Sequence, residues 1–206
     1  MNYLLLILAS YLLGAIPFGL LLGKLKGIDV RTVGSKNIGA TNVLRSVGKP
    51  WGIATFILDA LKGFVPAFVF PGVASAWAGE FQSLEIAALA GGAAAIIGHN
   101  FPIYLGFKGG KGVATSAGAL LGIAPLAVAV GLAVWAVFFF TLRYVSLASI
   151  AAALSVPVVG WVYYRDAGWV VPAALTVLAA LIIFRHRANI QRLLNGTEHR
   201  FGKKTG

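Results

Sequence analysis

From Tyr3 to Gly23 the chain carries no charged residue, and apolar runs of this kind recur along it. The hydrocarbon core of a bilayer is about 30 Å thick and takes roughly 20 apolar residues of α-helix to cross. Backbone N–H and C=O groups within lipid have to find partners inside the protein, so a span must be a helix or part of a closed barrel. Bounded by charge, Gly and Pro, the runs place helices at about 3–23, 51–70, 84–99, 112–124, 125–142, 145–164 and 169–185. Pro71, Pro125 and Gly168 punctuate the turns. The third and fourth stretches are short for a bilayer, and the fourth is open to being a half-span. Gly91, Gly92 and the Ala-rich stretch to Ala95 offer a surface on which helices approach closely.

Composition supports this reading. Hydrophobic residues make up 59% of the 206 and charged residues only 11%, against about 25% charged in an ordinary soluble domain. Mean hydropathy is +0.86. The expectation is an all-α polytopic membrane protein of about seven transmembrane helices, forming one integral-membrane domain over residues 1–206. The first run lacks a basic segment before it, and Lys24 and Lys26 follow it. It therefore reads as a retained span with its N-terminus outside.

The net charge of +11 follows the positive-inside pattern. After the first span come Lys24, Lys26, Arg31, Lys36, Arg45 and Lys49, against Asp29 alone. The loop at about 71–83 has Glu80 and no cation. Lys108 and Lys111, then Arg143, then the basic tail from Arg185 onward continue the alternation. An odd number of spans, with the C-terminus in the cytoplasm, fits every loop. The polar segments 24–50, 99–112 and 185–206 then share the cytoplasmic face. There are no cysteines, which excludes disulfides and thiolate metal sites.

Those three segments carry more than charge. The first holds SKNIGATN from Ser35, then Arg45 and Gly48. Ser35, Asn37, Thr41 and Asn42 alternate with glycines, giving donors on a backbone able to bend around a ligand. An Asn/Ser/Gly turn with a helix cap at Thr41 or Asn42 explains the same residues, and the segment alone leaves both readings open. The second holds GHNFP from Gly98 and FKGGKGVAT from Phe107. Gly109, Gly110 and Gly112 interleave with Lys108 and Lys111 and lead into a helix, a composition that favours cradling phosphate over a generic flexible cytoplasmic turn. It is not a Walker A loop, because Leu105 and Gly112 stand where Gly and Ser or Thr are needed. The third holds HRANI from His186, then Arg192 and Gly196-Thr197-Glu198. It also reads as a basic helix lying at the headgroups, with His186 and Asn189 on one face. Asp59 and Lys62, three apart in the second run, read as a structural ion pair in preference to a direct substrate contact. Ser146 and Ser149 begin a span, where they are candidates for capping it.

Absences narrow the chemistry. No carboxylate cluster is present to hold Mg²⁺, and three His without neighbouring Glu or Cys do not make a zinc site, so no metal or cofactor is expected. No His is followed four or five residues on by Asp, as in common glycerolipid acyltransferases. A transporter of organic anions would explain the cations, but its site belongs near the bilayer midplane between repeats, and no repeat is visible here.

Taken together and in order, the three motifs resemble those of the bacterial acyl-phosphate-dependent glycerol-3-phosphate acyltransferase family, over the whole chain. The resemblance implies transfer of a fatty acyl group from acyl phosphate to the 1-hydroxyl of sn-glycerol 3-phosphate, giving lysophosphatidic acid and inorganic phosphate. It places the protein in the cell inner membrane with a cytoplasmic active site. The expected partners are the two substrates, the lipid bilayer and a soluble enzyme that makes acyl phosphate; nucleic acid is not among them. Ser35, His186 and Asn189 are the expected reacting-centre residues. Lys36, Asn37, Thr41, Asn42, Arg45, His99, Asn100, Lys108, Gly109, Gly110, Lys111, Gly112, Thr115, Ser146, Ser149 and Arg192 are the expected substrate contacts. Both substrates bear a phosphate of roughly −1.5 to −2 charge, which explains the demand for cations.

Overall fold

A computed structural model describes residues 2–78, 81 and 83–202. The described residues form helices and turns, with no β-strand. The chain divides into two compact units, Met1–Ile123 and Ala124–Gly206.

In the first unit the opening apolar run is two helices, α1 (Asn2–Ala15) and α2 (Phe18–Leu25). They part at Pro17, which has no N–H to give and whose ring clashes with the preceding turn. A short helix α3 (Ala40–Ser46) precedes α4 (Lys49–Phe64). A π-helical turn at Val65–Val69 then carries the chain into α5 (Phe70–Ala78). The turn expected at Pro71 is therefore absent, and one apolar helical stretch runs from Lys49 to Trp77. The wider π-helical turn, in which the Phe70 N–H reaches back to Val65 O, makes room for Pro66 and for Pro71 just after it, neither of which has an N–H to give.

After it come α6 (Leu84–Asn100), a 3-10 turn at Ile103–Leu105 and α7 (Val113–Ile123). Ser83 opens α6, its Oγ accepting from the Ile86 N–H over 3.3 Å. The small residues do what the sequence suggested. A Cβ on Gly91 would strike the Pro66 carbonyl, one on Gly98 the Tyr11 carbonyl, and one on Gly14 the backbone of Ala95. α4 and α7 cross just as tightly, with Gly63 against Thr115 and Gly118 against Ala60.

The second unit holds α8 (Pro125–Leu142), α9 (Val145–Val159), a π-helical turn at Gly160–Tyr164, a 3-10 turn at Arg165–Ala167, α10 (Val170–Arg185) and α11 (Arg187–Leu194). Pro125 starts α8 and Gly168, at φ +130°, ends the turn before α10, as the sequence indicated. The axis bends by 56° between α10 and α11. The tail returns to the end of α8: Phe201 N–H donates to Arg143 O (2.9 Å) and Arg200 Nε to Leu142 O (3.2 Å).

Among the described residues, Tyr3–Leu25, Lys49–Trp77, Leu84–Leu105, Pro125–Leu142 and Val145–Tyr164 are long and apolar enough to cross a bilayer. The bent pair α10–α11 makes a sixth if taken as one span. The expectation of about seven spans thus meets five or six. The third run, thought short, gains length from Ile103–Leu105. The fourth, α7, has 11 residues and rises only about 16 Å, half of a bilayer core. Leu4, Phe68, Phe140 and Val177 are each more than half exposed, and lipid is the solvent that tolerates such a surface.

Candidate active site

In the first unit the chain between α2 and α4 is held from inside by Asn42. Its side chain is buried, and its Nδ2 donates to the carbonyls of Val30 (2.8 Å), Asn37 (2.8 Å) and Val33 (3.2 Å). Its Oδ1 accepts from the Ser35 N–H at 2.9 Å. Asn42 is thus a brace for the loop, with its amide engaged by backbone. Neither Thr41 nor Asn42 caps α3, since the capping position is Gly39. Asn37 Oδ1 accepts from the Gly39 N–H over 2.9 Å. Ser35 and Lys36 are exposed at the tip, Lys36 in the left-handed region at φ +56°, and Arg45 is half-buried one turn into α3. Arg31 is tied to Asp29 by a 2.6 Å ion pair. Hydrogen bonds from the Arg31 side chain and backbone pull the Asp29 carboxyl down to about 2. Leu20, Val30, Ile38 and Val43 form the core under this loop, and Leu105 of the second motif packs against it.

The second motif folds back over the end of α6. The Gly110 N–H donates to His99 O at 3.1 Å, and a Cβ on Gly110 would collide with the His99 ring at Nε2. Gly112, at φ +81°, lies against the Asn100 side chain, where a Cβ would stand 2.8 Å from Oδ1. Lys108 is exposed and Lys111 half-buried. Asn100 and Thr115 are fully buried and Ser116 nearly so. The Asn100 amide oxygen and nitrogen, Thr115 Oγ1 and Ser116 Oγ have no hydrogen-bond partner among the described residues. Orphaned buried polar atoms are costly, and in a native fold each asks for an explanation. Thr115 and Ser116 lie in the first turn of α7. There the Ser116 N–H already donates to Gly112 O (2.7 Å), while the N–H groups before it lack intrahelical acceptors. Asn100 lies against Gly112 just before that turn. Asp59, Lys62 and His99 are buried together. Lys62 Nζ lies 2.8 Å from Asp59 Oδ1, confirming the ion pair, and also donates to Ile16 O at 2.7 Å, at the break before Pro17.

In the second unit the third motif turns on Glu198, a residue whose role its sequence position does not disclose. Glu198 Oε1 accepts from Ser146 Oγ (2.9 Å) and Asn189 Nδ2 (2.8 Å), and Oε2 pairs with Arg192 Nε (2.7 Å). Burial pushes the Glu198 carboxyl up, but these three hydrogen bonds and the Arg192 charge outweigh it and hold it below the usual carboxylate range. Ser146 and Ser149 do not cap α9: Ser149 Oγ donates to Val145 O and accepts from Trp135 Nε1. His186 is buried at the α10–α11 bend, with Nδ1 2.8 Å from Ile182 O. A carbonyl only accepts, so Nδ1 carries the proton, and in the neutral ring Nε2 is the basic nitrogen. The signal for Glu198 was its isolation, a lone carboxylate in a cationic tail. Nothing in spacing alone linked Asp59 to His99.

The fold defines a helical integral membrane protein. Residues 4–196 match the sequence model described as Glycerol-3-phosphate acyltransferase, and the chain belongs to that family. A glycerol-3-phosphate acyltransferase of Aquifex aeolicus (strain VF5) is 45% identical over 206 residues, covering 98% of this chain and 100% of the relative. One from Desulfotalea psychrophila (strain LSv54 / DSM 12343) is 47% identical over 197 residues, covering 96% and 97%. Two crystal structures of PlsY, an integral membrane glycerol 3-phosphate acyltransferase, share the fold. The glycerol 3-phosphate form superposes with a TM-score of 0.85 at 45% identity, and the lysophosphatidic acid form with 0.82 at 44%. Each covers 98% of this chain and 96% of the solved one.

Proposed function

We propose that this chain transfers a fatty acyl group from acyl phosphate to the 1-hydroxyl of sn-glycerol 3-phosphate, releasing lysophosphatidic acid and inorganic phosphate. The observation that carries the donor reading is the set of unpartnered buried groups beside the glycine-rich loop: the Asn100 amide, Thr115 Oγ1 and Ser116 Oγ. Hydroxyl and amide donors, two nearby lysines and a helix N-terminus suit a phosphate. Lys108, Gly109, Gly110, Lys111, Gly112 and Thr115 receive the donor's phosphate in this reading. Ser35, Lys36 and Arg45 are assigned to glycerol phosphate, and Asn42 holds their loop in shape.

Acyl phosphate is an activated donor, so positioning and charge stabilisation supply most of the rate. The acceptor oxygen attacks the acyl carbon, the bond from that carbon to the phosphate oxygen breaks, and the hydroxyl proton leaves. His186 Nε2 is a suitable acceptor for it, and the departing phosphate is another. Asn189 and Arg192, fixed by Glu198, complete the assignment in the second unit. The protein sits in the cell inner membrane with its N-terminus outside and these motifs at the cytoplasmic side. There it draws acyl phosphate from a soluble enzyme.

The test is release of inorganic phosphate from palmitoyl phosphate by purified protein. Release that depends on glycerol 3-phosphate, with lysophosphatidic acid formed in equal amount, is expected. Uptake of labelled glycerol phosphate into liposomes, with no phosphate released, would replace the enzyme by a transporter.

A further inference from the structure

We infer that Asp59 is a positioning residue for the glycine-rich loop, acting through His99; the inference rests on the reading that this loop holds the donor's phosphate. Asp59 and Lys62 are each only 2% exposed. Burying such a pair is weak evidence for stability, because desolvation of both charges offsets their attraction, and an apolar pair of similar size often does as well. A geometric role explains the carboxylate better. His99 Nδ1 lies 3.6 Å from Asp59 Oδ1, within ion-pair range. The far side of the same ring lies against Gly110, so closely that no Cβ fits between them. The carbonyl of His99 also receives the Gly110 N–H at 3.1 Å, and Gly109 packs on that carbonyl and on Pro102.

The imidazole is therefore a wedge between a buried carboxylate and the backbone that would cradle phosphate. A ring that turns or shifts has to push Gly110. Lys62 fixes the other end: it holds Asp59 while donating to Ile16 O, and its ammonium lies 5.5 Å from the Phe18 ring. The alternative is that Asp59 only neutralises Lys62.

Two full-length variants separate these, Asp59→Asn and the doubly neutral Asp59→Asn/Lys62→Met. Four quantities are read: Tm, the KM for palmitoyl phosphate, the KM for glycerol 3-phosphate, and the isotope-labelled resonances of the His99 ring and the Gly110 amide. Both variants should move the His99 and Gly110 resonances and raise the donor KM on the order of tenfold or more, with little change in the KM for glycerol 3-phosphate. The double variant should recover Tm without recovering the donor KM. Resonances that move in both variants while the donor KM stays normal would support the positioning link and remove the donor assignment of the loop. Return of both resonances and KM to wild type in the double variant, or no change in Asp59→Asn, would overturn the inference. Should Asp59→Asn fail to fold, the double variant carries the test alone.

Discussion

Glu198 Oε1 accepts a hydrogen bond of 2.8 Å from Asn189 Nδ2, joining a residue past the end of α11 to one inside it. The same carboxylate holds Ser146 at the start of α9 and Arg192 one turn after Asn189. A single acidic residue thus fixes three of the polar side chains named for the site.

The consequence is a pH dependence of stability with a definite sign. Glu198 is held below the usual carboxylate range in the folded protein, so folding favours its ionised form. Its contribution is present at neutral pH and is lost as pH falls through the depressed folded-state value, below about pH 4.3 where an unfolded Glu protonates. Removing the carboxylate in Glu198→Ala leaves Asn189 and Ser146 without their acceptor and should cost about 2 kcal/mol at neutral pH. Thermal melts from pH 7 downward check this. The gap between wild type and variant should narrow in acid, and a gap independent of pH would contradict it.

Close helix contact in the first unit makes a second prediction. A Cβ on Gly118 would meet the carbonyl of Ala60, and backbone does not yield as a flexible side chain does. Gly118→Ala should lower stability by about 1–3 kcal/mol, although alanine is the better helix former. A melt in detergent with unchanged or raised Tm would show that α4 and α7 separate without penalty.

A third concerns Gly110, whose absent Cβ makes room for the His99 imidazole. Gly110→Ala should shift the loop off the ring and lower kcat/KM with palmitoyl phosphate roughly 100-fold, and because no Cβ fits beside the buried His99 ring it should also lower stability by about 1–3 kcal/mol. Near-normal turnover would remove the loop from the donor site.

How much of this was legible beforehand follows from what each feature depends on. Most apolar helices were readable because lipid demands them, and Pro125 and Gly168 fell at element boundaries. However, α7 is too short to span, and among the described residues five or six helices rather than seven are long enough to cross. Pro71 misled because a π-helical turn at Val65–Val69 lets the helix continue, and no local pattern signals such a turn. The glycine-rich loop was visible from composition. That Asn42 turns inward as a brace was not, since an Asn among glycines looks the same whether it faces backbone or ligand. Pairing of Asp59 with Lys62 follows from a spacing of three. Its neighbour His99 is forty residues away along the chain, and only the packing of α4 beside α6 brings them together.

Thr115 offers the sharpest separation of function from stability. Its hydroxyl is fully buried at the start of α7 and has no hydrogen-bond partner among the described residues. Valine has the same shape with a methyl group in place of that hydroxyl. Burying a hydroxyl without a partner is unfavourable, so Thr115→Val should leave stability unchanged or raise it by about 1 kcal/mol. If the hydroxyl serves a phosphate, the same change removes a hydrogen bond to a charged group, worth about 1.5–3 kcal/mol. The donor's kcat/KM should then fall roughly 10- to 150-fold. Paired measurements of Tm and of phosphate release check both halves at once. A variant that is more stable and equally active would mean that Thr115 faces no substrate, whereas one that is less stable would mean the hydroxyl already has a partner within the protein.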